Sequence, residues 1–242
     1  MAAEKTGLPI ITHDHDFAWE RGDRYVSPHE EINQFVAKTF PLRLPNSYHA
    51  VINLLGQPPL KEKFNRSSVV VPNVMDFSIP FGQETKKSRT LKSNLGLEEK
   101  DILLFQITRI VRRKGIETAI QLVHELNDKN IKLIITGGHT EDEGSIYYNE
   151  LIDKINSLNI DRQVLFASHL INNKGLMGGG AASYSLSDAY ANARACTYFS
   201  LYEGFGNAFV EAVLAKRPIF VNNYKPVYWP DIGSKGFKTA IF

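Results

Sequence analysis

Glu203-Gly-Phe-Gly-Asn-Ala-Phe-Val-Glu211 sets two carboxylates around a glycine-rich turn that opens a helix. The backbone N–H groups of such a turn, with the helix N-terminus behind them, offer donors to an anion such as phosphate. Asn207 and Glu211 are four residues apart, so they share one helix face about 6 Å apart along the axis. Glu203, on the turn, is suited to accept hydrogen bonds from sugar hydroxyls, and Glu211 from a ribose diol. A second cluster lies upstream in Arg109-Ile-Val-Arg-Arg-Lys-Gly115. There Arg109 offers a planar fork to phosphate oxygens, Lys114 a compact positive charge, and Gly115 a close backbone approach at a helix start. Arg112 and Arg113 are expected on the solvated side. The plainer alternative is a solvated basic turn, together with one glutamate on an ordinary turn and one on an amphipathic helix.

These residues need a frame, and the hydrophobic pattern supplies one. From Asp101 onward, strand-like runs at residues 102–107, 132–136, 164–167, 196–200 and 218–221 alternate with helical stripes. Ile116, Ala119, Ile120, Val123 and Leu126 form one stripe, and Tyr147, Leu151, Ile155 and Leu158 another. Shorter helices are expected at residues 187–193 and 206–215. Strict alternation predicts an α/β fold with a doubly wound parallel sheet, at whose carboxyl edge both clusters fall. Gly137-Gly138 close one strand, and Gly138 is counted as a donor-side position where a base or ribose can approach the backbone. Residues 176–183, with Gly178 to Gly180, read as a flexible loop.

The amino-terminal third carries buried-strand runs at residues 8–12, 48–54 and 68–74, with a short helical stretch around Lys61. Ser27-Pro28-His29-Glu30 predicts a capping box that starts a helix running to about Phe40. The expected division is a partial Rossmann-like domain at residues 1–82, a polar linker at 83–100 and a second Rossmann-like domain at 101–242.

Composition narrows the function classes. Among 242 residues, 28 Lys and Arg nearly balance 26 Asp and Glu, so no global charge holds the chain on nucleic acid or anionic lipid. An anion site must therefore be local. A single cysteine, Cys196, rules out an internal disulfide framework and fits a reducing, cytoplasmic compartment. No apolar run reaches the length of a membrane span, and Met1-Ala-Ala-Glu-Lys5 has no apolar signal core.

With these residues in view, the sequence resembles the retaining group 1 (family four) glycosyltransferases of the two-Rossmann GT-B fold. Arg109 with Lys114-Gly115, and Glu203 through Glu211, match the family's basic pair and its Glu-X7-Glu signature. The resemblance implies that Arg109 and Lys114 hold a donor diphosphate. It assigns Glu203 and the amides of Gly204, Phe205 and Gly206 to the hexose, with Asn207 alongside, and Glu211 to the ribose. Val71-Pro-Asn-Val-Met-Asp76 resembles the entry to the family's second domain, with Val74-Met75 replacing Gly-Val. Thr12-His13-Asp14 resembles the close of an acceptor-domain strand, which makes His13 the expected active-site histidine and His15 the reserve. Against the family pattern the chain reads as truncated at each end.

Asp14-His15-Asp16 also spells a cation-binding Asp-X-Asp, but adjacent side chains on a strand end point different ways and the phosphate already has cationic partners. A polar strand end over Phe17 and Trp19 is the plain alternative, and His169 reads as a loop histidine. The expected reaction is hexosyl transfer from a nucleoside diphosphate sugar to the hydroxyl of a glycan, lipid or small molecule. No cofactor or metal is required and no nucleic acid is involved, with peripheral membrane contact left open. The alternative is a noncatalytic nucleotide-sugar-binding module or an inactive fragment of such an enzyme.

Overall fold

The computed structural model describes residues 5–20, 26–138, 143–171, 184–224 and 228–241. The glycine-rich tract expected as a loop, Gly178 to Gly180 included, lies outside the described residues. The chain forms two compact units, residues 1–74 with 226–236, and residues 75–225 with 237–242.

In the first unit, β1 (Ile10–Asp14), β2 (Ser47–Val51) and β3 (Ser68–Val70) make a parallel sheet in that order. Between the strands lie helices α1 (Glu30–Thr39) and α2 (Gln57–Phe64). Prolines in the first turn of α2 cost it no hydrogen bond, and Asn65 closes it in the left-handed conformation. The small core joins Phe17, Val51 and Leu60 to Trp19, Phe64 and Val70. Trp19 stacks on Phe17 with ring centroids 4.4 Å apart.

The start of α1 corrects the expected capping box. The helix opens at Glu30, and Ser27 Oγ accepts from the His29 N–H, at 3.1 Å. The Asn33 side chain accepts from Ser27 N at 2.8 Å and donates to Ser27 O at 3.0 Å. One amide can satisfy both groups of the Ser27 backbone, and that exchange fixes the entry of the helix.

The second unit begins with the short helix α3 (Leu91–Asn94) and continues as a six-stranded parallel sheet of order β6-β5-β4-β7-β8-β9. Its strands are β4 (Ile102–Gln106), β5 (Ile131–Ile135), β6 (Val164–Phe166), β7 (Ala195–Tyr198), β8 (Ile219–Val221) and β9 (Ala240–Ile241). Helices α4 (Ile116–Leu126), α5 (Glu143–Ser157), α6 (Leu186–Asn192) and α7 (Asn207–Leu214) complete the alternation. The apolar stripes read from the sequence do the packing: Ile116, Ala119, Ile120 and Val123 of α4 meet Tyr147, Leu151 and Ile155 of α5 over β4 and β5. Within residues 83–100, expected as a linker, a 3-10 turn at Ser88–Thr90 and the helix α3 are anchored by two buried residues. Ser88 and Leu91 are fully buried, and Asn192 of α6 donates to the Ser88 carbonyl at 2.8 Å.

Topology selects one crevice. The chain runs outward from β4 through β5 to β6, then returns to build β7, β8 and β9 on the other side of β4. The order therefore reverses between β4 and β7, and open α/β sheets bind ligands beyond the carboxyl ends at such a point. The loop after β4 carries Arg109 to Gly115, and the loop after β7 carries Glu203 to Gly206.

Candidate functional site

The loop after β4 tightens into a 3-10 turn at Arg112–Lys114 and ends at Gly115 in the left-handed conformation, φ 57°. Gly115 is needed there for a packing reason as well. A Cβ would stand 2.1 Å from the Phe199 carbonyl oxygen, so the loop lies directly against the end of β7. A buried glutamine holds it from below. Gln106 Nε2 donates to the Lys114 carbonyl at 3.1 Å, while Thr197 Oγ1 of β7 donates to Gln106 Oε1 at 2.5 Å.

Lys114 is buried, and its ammonium meets the Glu203 carboxylate directly while standing 5.5 Å from the centre of the Tyr198 ring. Glu203 is buried too, and its second oxygen lies 3.0 Å from Arg113 Nη1. Arg113 therefore corrects the expectation that it faces solvent. Its Nη1 also donates to the Tyr202 carbonyl at 3.0 Å, and its own carbonyl accepts from Leu201 N at 2.8 Å. Arg112 does turn outward, where it pairs with Glu150 on the surface. Consecutive residues of a tight turn point in different directions, so the run Arg-Arg-Lys divides between solvent and the site. Arg109 is exposed at the rim.

Two basic residues around one carboxylate, with a third nearby, leave the site locally positive. Burial alone would raise the Glu203 carboxyl, but Lys114 first, then Ser200 and Arg113, outweigh it and hold it below the ordinary glutamate value. Burial lowers Lys114 against the attraction of Glu203, with smaller repulsion from Arg113 and Arg109. The depression of Glu203 against its own burial marks the place as locally positive, one where a further negative charge is stabilised.

The next residues form the mouth of α7. Phe205 is buried, and its carbonyl accepts from Tyr224 Oη at 3.3 Å. Gly206 caps α7 at φ 112°, and a Cβ there would lie 2.4 Å from Tyr224 Oη. Asn207 begins the helix on its exposed side, and Gly204 is half-buried on the turn. One turn further, the half-buried Glu211 accepts from Tyr190 Oη of α6 at 3.0 Å. Burial raises the Glu211 carboxyl, and the Tyr190 bond only partly opposes it. Gln106, Arg113 and Tyr190 escaped the sequence reading. A lone glutamine ending the apolar run Ile-Leu-Leu-Phe was the available signal for the first; Tyr190 had none, because its bond to Glu211 crosses from α6 to α7.

Of the two glycines after β5, Gly137 is the one the fold requires. A Cβ on it would stand 2.0 Å from the Thr108 carbonyl oxygen, whereas one on Gly138 would meet nothing within 4 Å. Gly138 also accepts from Ile110 N at 3.1 Å, which ties it to the basic loop.

In the first unit, His13 Nε2 lies 2.9 Å from the Val71 carbonyl, and the ring sits edge-on to His15 at 4.6 Å. Asp14 turns to the opposite face of the sheet, where its carboxylate approaches buried His49 Nδ1 at 3.1 Å and accepts from Thr12 Oγ1 at 3.0 Å. His49 Nε2 donates to the Leu42 carbonyl, 2.9 Å away. Asp14 and His15 thus do not converge on one point, and among the described residues no three His, Cys, Asp or Glu side chains gather as a metal site. Among the same residues no helix is long and apolar enough to cross a membrane. Burial pushes the Cys196 thiol up to about 12, which leaves it a core residue.

Comparison with known proteins agrees with this layout. The model of the family described as "Glycosyl transferases group 1" matches residues 87–228. Mannosylglucosylglycerate synthase of Petrotoga mobilis is 33% identical over 97% of this chain and 56% of its own length. The enzyme of the same name from Thermotoga maritima is 33% identical over 98% of this chain and 56% of its own. The chain thus spans about half the length of the curated relatives it matches. Among solved structures, Anabaena HepE in complex with UDP and glucose superposes with a TM-score of 0.66 at 17% identity, covering 92% of this chain and 55% of HepE. The α/β class with two Rossmann-like parallel sheets, expected from the sequence, is borne out.

Proposed function

The chain belongs to the group 1 glycosyl transferases, and we propose that it carries the donor site of an enzyme moving a hexosyl group from a nucleoside diphosphate sugar to an acceptor hydroxyl with retention of configuration. The observation that carries this reading is the surplus of positive charge around Glu203 at the β4–β7 switch point, beside the mouth of α7. Phosphate oxygens are the ligand such a surplus suits, and Arg109, Lys114 and the helix end are the groups to hold them. Glu203 then faces the hexose hydroxyls, with the Gly204, Phe205 and Gly206 amides, and Glu211 and Asn207 face the ribose.

The same cations stabilise the diphosphate as it departs and charge grows on it, so this chemistry asks for no metal. None of the site's side chains is placed as a nucleophile. A same-face displacement, in which the leaving phosphate takes the acceptor's proton, suits a site of this composition. His13 is the proposed polar contact on the acceptor side. The name of the two curated relatives favours a mannosyl donor and a small acceptor of glucosylglycerate type over a lipid, in a cytoplasmic setting.

Calorimetric titration of the chain with uridine, guanosine and adenosine diphosphate sugars tests the donor site, and a transfer assay with glucosylglycerate tests the reaction. Binding of one nucleotide sugar with transfer supports the whole reading. Binding without transfer supports a noncatalytic module, and no binding to any donor removes the donor site itself.

A further inference from the structure

We propose that Arg113 is the positioning residue that keeps Glu203 charged and aimed at the donor's hexose when Lys114 turns to the diphosphate. This inference rests on the donor-site reading. In the ligand-free site the Lys114 ammonium is spent on Glu203. A diphosphate carries more charge than one carboxylate, so it draws that ammonium away, and Glu203 is then left buried without its nearer cation. A buried carboxylate stripped of its partner is costly and takes up a proton, which would turn a sugar-hydroxyl acceptor into a mixed donor and acceptor.

Arg113 prevents this by geometry. Its Nη1 lies 3.0 Å from the Glu203 oxygen that Lys114 does not touch, so the two cations do not compete for one atom. The guanidinium is anchored independently of both, through the Tyr202 carbonyl at 3.0 Å, and the Arg113 carbonyl is fixed by Leu201 N at 2.8 Å. Three contacts therefore join the residue to the 201–203 segment, and only one of them involves the carboxylate. Its side chain remains about a quarter exposed, 26%, against 8% for Glu203, so it gives up less hydration by standing as a permanent counter-ion. Arg113 contacts neither hexose nor phosphate in this arrangement; it acts through Glu203.

The test separates the hexose from the diphosphate. Wild type, Arg113→Met and Arg113→Lys are titrated with UDP, GDP and ADP and with the glucose and mannose esters of each, and folding is checked by circular dichroism. For the nucleotide that wild type binds, Arg113→Met is expected to leave the affinity for the bare diphosphate within about twofold. The ratio of sugar-nucleotide to diphosphate affinity should fall roughly tenfold or more, as for loss of a hydrogen bond to a charged group, with partial recovery in Arg113→Lys. In a Glu203→Gln background the Arg113 substitution should change that ratio no further. If Arg113→Met does not fold, Arg113→Gln, which keeps a donor for the Tyr202 carbonyl and drops the charge, serves in its place. An unchanged ratio, or an equal loss for both ligands, overturns the role of Arg113 while the donor site stands. A wild type that binds none of the nucleotides overturns the donor reading and this inference with it.

Discussion

Glu203 and Glu211 lie eight residues apart on one loop and helix, yet the protein treats the two carboxylates in opposite ways. Glu203 is enclosed by Lys114 and Arg113 and held ionised against its burial. Glu211 is half-buried against a neutral phenol, and burial raises its carboxyl. Spacing in the sequence makes them look like a matched pair, while their surroundings give one a charge that is compensated in advance and the other a charge still awaiting a partner. On the proposed donor reading, a ligand with a hydroxyl-bearing group at each end would meet a fixed acceptor at Glu203 and an adjustable one at Glu211.

The largest test of this contrast is Lys114→Met. It removes the nearer cation from a buried carboxylate and the proposed phosphate contact together. We expect at least about 3 kcal/mol of donor affinity to be lost, roughly 100-fold or more in calorimetric Kd. Neutralising each carboxylate in turn comes next. The folded-state value of Glu203 is depressed, so its stabilisation is present above the ordinary glutamate range and is lost as pH falls through the depressed value. Glu211 is raised, so its contribution is present below the unfolded value and is lost as pH rises through the raised one. At pH 8, Glu203→Gln should lower Tm by about 6 °C or more, while Glu211→Gln should leave it unchanged or raise it by up to about 3 °C. Equal losses in both variants would erase the distinction.

Gly115→Ala probes the scaffold on the Glu203 side. The left-handed backbone and the Phe199 carbonyl beneath it predict a loss of about 2 kcal/mol in denaturant unfolding. The smallest expected effect is Tyr190→Phe. It removes one hydrogen bond to Glu211, worth about 1 kcal/mol or roughly fivefold in donor affinity at neutral pH. Because that bond lowers the Glu211 carboxyl, the pH midpoint for loss of binding on acidification should move upward in the variant.

The fold class was legible because it depends on periodicity: the stripes Ile116 to Val123 and Tyr147 to Ile155 pack as their spacing implies. In the candidate site, the grouping of Lys114 with Glu203 was legible, because there chemistry and spacing coincide. Arg113 was not, because a run of three basic residues does not say which of them a three-residue turn sends inward. Ser27 misled for a related reason: the residues of a capping box were present, but Asn33 offered its backbone a better exchange. The helix at residues 91–94 was hidden by polar neighbours, since its burial comes from a single leucine rather than from a stripe. Gln106 shows the same limit from inside the sheet, for its value lies in bonds to Lys114 and Thr197 that sequence distance conceals.

Arg109 differs from its basic neighbours in standing exposed at the rim. A charge in that position acts on a ligand before any contact forms, so it governs how fast an anion arrives, whereas Lys114, sunk in the site, governs how long it stays. Added salt should then slow association through Arg109 and leave the escape rate nearly untouched, dividing the proposed phosphate site between a residue for capture and a residue for retention.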